Sequence, residues 1–534
     1  MFDVVLKKAT IYDGQSDAPY ESDIGIVGDT IHTIANLDAA EAREVLPVDG
    51  LAVSPGFIDL HTHSDFTLIA DGRAESQVHQ GVTTEVVGQC GVSCAPACDN
   101  AAIQNMAFGF AEGCHPLGWR SFGDYLDTLE EIDLGVNVIA FVGHGAVHQA
   151  VLGDALRAAN DAEVDVMTRL VEESLDEGAS GFSTGLEYWP GSLAALEHLV
   201  PLCSAAAERG KLYATHVRNR DSHYDLGFTE ALATARLSGA RLQISHIQPK
   251  YGAPAHAMEH TLELIDMAKR QGVDVAFDVI PHNWNHTRVR AILPKWALEG
   301  GPEAIVKRLR DPKMRSLIRK NRQPMWLLVR DAKWSEIVLL DADVNKDLIG
   351  ASFEEIGRIR GVDPYDAVFD LLIEEAHNMS RLLWTSSAFK ESDIELALSQ
   401  PECAVISDTA ALAPNGVLKD HIGSLSGYGW AAQFLQRYVS ERKVLGLANA
   451  LQRITSVPAD RLGLKDRGRL MEGKKADICV FDPTTMMSHC TVQNPRAFAT
   501  GIEHVLVNGQ FAMKNGARQN SNAGCVLREV RCDH

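Results

Sequence analysis

Two histidines one residue apart close an apolar run in Gly56-Phe57-Ile58-Asp59-Leu60-His61-Thr62-His63. On an extended strand, residues i and i+2 face the same side. His61 and His63 therefore project together and can grip one metal ion. Other residues of ligand type follow further apolar runs: Cys90, His144, Glu187, His216, His246 and Asp408. Any one of them has an ordinary reading, as a turn histidine, a capping aspartate or a small buried thiol. Their recurrence at the ends of successive runs points to one shared centre. A carboxylate in such company suits proton transfer. His79, His115, His148 and His223 lack that company and read as structural or exposed.

The runs that must position these residues lie at 56–60, 83–87, 136–142, 181–183, 212–215, 242–245, 273–279 and 403–407. Amphipathic stretches such as 161–176 and 261–271 separate several of them. Continuous apolar strands alternating with helices predict a parallel sheet covered on both faces. Eight such units predict a (β/α)8 barrel, an α/β fold whose active site lies at the carboxyl ends of its strands. Between runs seven and eight stand roughly 120 residues, far more than a connection needs. Within this span 326–329 and 337–340 read as strands, and 352–360 and 365–376 as helices. The expectation is an insertion at about 285–400, packed over the barrel mouth as a lid.

Short strand-like bursts punctuated by Asp-Gly and Gly-Asp fill residues 1–54. Late strands around 475–483 and 502–509 cannot enter a closed barrel and are expected to complete the same small sheet. The predicted organisation is thus 1–54 and 456–534 as a composite β-sandwich, with the barrel at 55–455.

The chain of 534 residues is 46% hydrophobic and 23% charged, which suits a large globular enzyme core. Fifty basic against 71 acidic residues leave a formal charge of −21. That argues against nucleic acid or an anionic membrane as partner and says little about a small-molecule substrate, since a local pocket can differ in sign from the whole. A homo-oligomer is compatible with the composition. Ten scattered cysteines, without disulfide-framework spacing or a signal segment, predict a reduced, cytoplasmic protein.

The combined pattern resembles the amidohydrolase superfamily, and within it the N-acyl-D-amino-acid deacylase (D-aminoacylase) family. Pro55-Gly56-Phe57-Ile58-Asp59-Leu60-His61-Thr62-His63, Gln89-Cys90-Gly91, Gly181-Phe182-Ser183-Thr184-Gly185-Leu186-Glu187-Tyr188 and Thr215-His216-Val217-Arg218-Asn219 carry the resemblance. It implies a zinc-dependent hydrolase of linear amide C–N bonds. By position, Cys90, His216 and His246 would bind one zinc tightly, His61 and His63 would contribute to a second, weaker site, and Asp408 would be the catalytic acid and base.

The chain departs from that family where the substrate carboxylate is held. A lysine two residues after the strand-six histidine is replaced by Gln248, and the arginine expected after Asp408 is missing from Gly423–Trp430. A Tyr-Pro-Tyr stretch appears as Ile280-Pro281-His282. Substrate contacts are therefore expected from Glu187, Tyr188, Arg218, Gln248, Lys250, His282, Tyr428 and Trp430, with Arg220 and Trp284 nearby. The flat Tyr428 and Trp430 suggest a wall for bulky or neutral amides. Two alternatives stand beside the deacylase. One is a cyclic-amide hydrolase of the hydantoinase or dihydroorotase kind, against which the absence of a strand-four lysine counts. The other is a non-catalytic scaffold on the same fold, which the retained ligands oppose.

Overall fold

The computed structural model describes residues 1–38, 41–100, 117–321 and 324–528. His115 lies outside them. Eight parallel strands, the third in two pieces, form the barrel. The first three are Phe57–Asp59, Val82–Val87 and Asn137–Ala140. The third continues as Val142–Gly143, beside Gly181–Gly185, Leu212–His216, Arg241–Ile244, Val275–Val279 and Cys403–Val405. The two pieces of strand three bend at Phe141, whose N–H donates to the Val87 carbonyl at 3.0 Å. Strand eight closes on strand one through Asp408 N–H to His61 O (3.1 Å) and His63 N–H to Thr409 O (2.7 Å).

Inside the barrel, alternate residues meet in one apolar cluster: Ile58 and Leu60, Leu212 and Ala214, Ala404 and Ile406. This i, i+2 spacing is what a pleated strand imposes. A far larger cluster lies between the strands and the helices around them. Its helix faces repeat at about one turn, as at Val164, Met167, Val171 and Leu175 of Asp161–Asp176. Asn160 and Glu163 cap that helix reciprocally, which fixes where it starts.

Between strands seven and eight the chain builds a separate antiparallel sheet of Asn285–Arg288, Leu383–Ser386 and Val338–Asp341. This unit buries its own core around Trp384, Phe353, Phe369 and Leu339. The helices Phe353–Arg360 and Pro364–Glu374 fall where the periodicity put them. The strand expected at 326–329 is instead a single helical turn, Leu327–Arg330. Four consecutive apolar residues bury equally well as either element, and here the turn lets Trp326 reach the cavity.

A nine-stranded sheet joins both ends of the chain. Ala52–Pro55 pairs antiparallel with Ile478–Phe481, in the register Val53 to Val480. Val4, Leu6, Ile24, Ile478, Val480 and Leu506 pack together on it. Among the described residues no helix is long and apolar enough to cross a membrane.

Candidate metal centre

His61 Nε2, Cys90 Sγ, His246 Nε2 and an Asp408 carboxylate oxygen converge at the carboxyl mouth of the barrel, all within 4.8 Å of one another. The sulfur lies 3.2 Å from His61 Nε2, 3.4 Å from His246 Nε2 and 3.8 Å from His216 Nδ1. Asp408 Oδ1 lies 3.3 Å from His61 Nε2 and 3.2 Å from His63 Nε2. His61 and His63 sit just past the end of strand one, and the strand-one to strand-eight ladder holds both against the same carboxylate oxygen. The four-membered group thus takes in His61 and Asp408, while His216 approaches the sulfur from the side and His63 meets Asp408.

The backbone here is bent to a purpose. Cys90, His246 and Asp408 have φ of 55°, 36° and 51°, in the left-handed region that costs non-glycine residues on the order of 1–3 kcal/mol each. Hydrogen bonds offset that cost. His246 N–H donates to Asp278 Oδ1 at 2.6 Å, and the His246 carbonyl accepts from the Arg220 guanidinium. The Cys90 carbonyl accepts from Tyr188 Oη at 2.6 Å. Gly88 and Gly91, at φ of 79° and 72°, flank Cys90. A Cβ on Gly88 would strike the Phe141 carbonyl, and one on Gly91 would stand 2.7 Å from the Gly185 nitrogen. The Gln89-Cys90-Gly91 stretch is thereby pressed onto strands three and four.

The electrostatics favour metal-ready ligands. Burial opposes ionisation of the Cys90 thiol, but the adjoining imidazoles, His61 foremost, hold it well below the ordinary thiol range. A thiolate is the form that binds metal. Burial, reinforced by the Arg220 charge, pushes His246 down to about 3, leaving it neutral with a lone pair to offer. Burial works against the Asp408 carboxylate too, and the His61 and His63 contacts outweigh it. One thiolate, several imidazoles and a carboxylate, buried and convergent, make a donor set that fits a divalent ion such as zinc.

Glu187 orients His216. His216 Nε2–H donates to Glu187 Oε2 at 2.9 Å, so Nδ1 is turned toward the sulfur. Such a carboxylate behind a ligating histidine fixes ring and tautomer together. Glu187 is held at about 2, against burial, by Lys250 and then His216. Lys250 forms a buried ion pair with it, donates to the Met325 carbonyl at 2.9 Å and stands 4.4 Å over the Trp326 ring. Glu187→Gln is expected to weaken metal binding about 10–100-fold, measured by competition with a chelator. It should also lower the melting temperature, since Lys250 loses its closest buried counter-ion.

A cavity of about 940 Å³ opens above these residues. Glu187, Tyr188, Arg218, Trp189, Trp326 and Phe389 are on its wall, together with His286, Arg288 and Arg290 from the insertion. Several expected contacts are corrected here. Gln248 is fully buried away from the cavity, its amide bonded to the Ile280 backbone at 2.7 Å. Tyr428 and Trp430 are also fully buried. Tyr428 packs edge-on against Phe498, and Trp430 Nε1–H donates to Gln77 Oε1 at 3.1 Å. His282 is buried off the cavity, and burial pushes it down to about 4. Lys250 and Arg218 lie close by but are committed. Arg218 donates to Glu230 at 2.8 Å and to the Ser192 and Ala194 carbonyls at 3.0 and 2.7 Å. Trp189, Trp326 and Phe389 line the cavity in their place.

His144 lies on the cavity wall, pushed down to about 3 by burial. His79 stacks on Phe498 at 4.1 Å, His148 is buried beside Trp189, and His223 is exposed at the rim. His286, Arg288 and Arg290 were not expected from the sequence. Their signal was there, as basic-type residues at every second position across the end of a strand and the turn after it.

Comparison with known proteins places the geometry in context. Residues 45–290 and 358–513 match the amidohydrolase family. An N-acyl-D-glutamate deacylase of Alcaligenes xylosoxydans xylosoxydans is 31% identical over 527 residues, covering 98% of this chain and 96% of its own. A crystal structure of N-acyl-D-glutamate deacylase from Bordetella bronchiseptica, complexed with zinc and a phosphonate mimic of the tetrahedral intermediate, superposes with a TM-score of 0.82. It is 29% identical and covers 99% of this chain and 100% of its own. A D-aminoacylase structure described as having a binuclear metal centre, with one-metal activation and second-metal attenuation, gives a TM-score of 0.81. It is 27% identical, again over 99% and 100% of the two chains.

Proposed function

The chain belongs to the amidohydrolase family, and from that premise we propose that it is a zinc-dependent deacylase that cleaves the linear amide bond of N-acylated D-amino acids. The observation that carries the reading is the convergence of Cys90, His61, His246 and Asp408 at the barrel mouth. The full-length likeness to N-acyl-D-amino-acid deacylases supports it. Cys90, His216 and His246 would hold the tighter ion, because Glu187 turns His216 Nδ1 toward the same sulfur that His246 faces. His61, His63 and Asp408 would offer a second, weaker position across that sulfur.

Bound zinc supplies Lewis acidity, making water acidic enough to ionise near neutral pH and polarising an amide carbonyl. The chain's own residues do the rest. Asp408, an ionised carboxylate fixed by His61 and His63, takes the proton from the attacking water and returns it to the leaving nitrogen. Water's oxygen ends in the released carboxylate, and both of its protons end on the nitrogen, which leaves as an ammonium. Trp189, Trp326 and Phe389 give the acyl group an apolar berth, and the cavity is wide enough for a bulky one. The strand-four end carries Ser183, Thr184 and Glu187 and no lysine, which sets the chain apart from the cyclic-amide alternative.

The test is a substrate panel on zinc-loaded protein: N-acyl-D-amino acids, their L enantiomers, aryl amides and cyclic imides. Release of free D-amino acid is the expected outcome. Turnover confined to cyclic imides would overturn the reading, and a protein that neither retains zinc nor gains activity when supplied with it would be a scaffold.

A further inference from the structure

Strand four ends in Ser183-Thr184-Gly185-Leu186-Glu187-Tyr188, and no member of the converging group comes from it. It contributes instead two neighbouring side chains that reach ligands on other strands. Glu187 takes His216. Tyr188 takes Cys90.

The Tyr188 hydroxyl donates to the Cys90 carbonyl at 2.6 Å. The same ring meets His216 edge-on, with 5.1 Å between centroids and 72° between planes. One side chain thus touches the strand-two ligand through its backbone and the strand-five ligand through its ring. The contact is closely built. Gly185 lies under it, where a Cβ would collide with both Tyr188 Oη and the Cys90 carbonyl oxygen. Leu186 N–H donates to the His216 carbonyl at 2.9 Å, and Ser192 N–H to the Tyr188 carbonyl at 2.8 Å. These bonds fix the segment on either side of Tyr188.

Cys90 has a φ of 55°. A non-glycine residue stays in that region only while its surroundings hold it there. With its carbonyl released, the backbone would relax and the sulfur would swing with it. A phenol has one proton to donate, and here it is committed to that carbonyl. Tyr188 therefore presents its ring to the cavity, and its hydroxyl proton is not available to substrate.

We propose that Tyr188 is a positioning residue for the tighter metal, setting the Cys90 sulfur against Nδ1 of His216. This rests on the assignment of that ion to Cys90, His216 and His246. Losing the clamp should disturb the metal-free protein little, because the lost hydrogen bond is offset by released backbone strain. The loss falls on metal binding, since the ligands are no longer preset.

The experiment loads wild type and Tyr188→Phe with cobalt(II), whose bond to a thiolate gives a charge-transfer absorption, and titrates each with a chelator. Tyr188→Phe should hold cobalt about 10–100-fold more weakly, with the thiolate band shifted or diminished. The metal-free melting temperature should stay near that of wild type. Gly185→Ala keeps the hydroxyl but wedges the contact open, so it should weaken cobalt in the same direction, and it decides the matter should Tyr188→Phe fail to fold. KM of zinc-loaded Tyr188→Phe for N-acetyl-D-leucine should stay within about twofold of wild type, because the hydroxyl makes no ground-state contact with substrate. Unchanged cobalt affinity and an unchanged band would overturn the proposal. A lowered metal-free melting temperature with unchanged affinity would also overturn it, as a purely structural role. So would a raised KM with unchanged affinity, which would place the hydroxyl on the substrate. The cobalt measurements need no substrate. A wild type that binds cobalt but hydrolyses none of the amides fails the deacylase reading alone, whereas one that retains neither zinc nor cobalt fails this inference as well.

Discussion

Cys90→Ala is expected to abolish retention of the tighter metal and lower turnover by about 10³-fold or more. The Cys90 sulfur lies within hydrogen-bond range of His61, His216 and His246 alike. Its removal takes a charged ligand from both proposed positions at once. A metal centre of this kind supplies several kcal/mol of transition-state stabilisation, and about 4 kcal/mol corresponds to about 10³ in rate. Alanine inherits the same left-handed backbone as cysteine, so the fold should be little disturbed. Elemental analysis of the purified variant, beside its melting curve, is the check. A folded Cys90→Ala that still carries one equivalent of metal would remove the thiolate from the centre.

The second large effect is expected from Asp408→Asn. The amide keeps the shape of the side chain and its place between His61 and His63, but it cannot take a proton from water. With Cys90, His216 and His246 untouched, metal content should stay near that of wild type. The rate constant kcat should fall by about 10²–10⁴-fold, the usual worth of a positioned acid–base group, with KM changed little. Single-turnover kinetics would expose the slow step directly. Near-full activity would mean that another group carries the proton.

The chemistry of the centre was legible because its residues are marked by type and stand beside apolar runs. Strand ends such as Val87 and Val279 fall where the runs stop, since buried parallel strands carry little besides apolar residues. What could not be read was direction. Tyr428 and Trp430 are large aromatics close to Asp408 in the chain, yet the loop after strand eight turns both into the protein's interior. Lys250 was visible as a cation, but its partner Glu187 lies 63 residues away, at the end of a different strand. The turn at Trp326 departs from the expected strand because four apolar residues carry too little periodicity to tell a strand from a helix.

The sheet shared by the two ends of the chain constrains how the protein can be made. Ile34 N–H bonds to Glu472, 438 residues further along, and Ala52–Pro55 has Ile478–Phe481 as a neighbour. During synthesis the opening strands leave the ribosome long before their partners exist. At about 5–20 residues per second, that interval is on the order of 20–90 s. Pairing so distant in sequence is slow to form, and until it forms Ala52–Pro55 presents an open edge to other chains. The barrel between the two halves can fold first and bring the ends together, so the sheet closes last, as a clasp on a finished barrel.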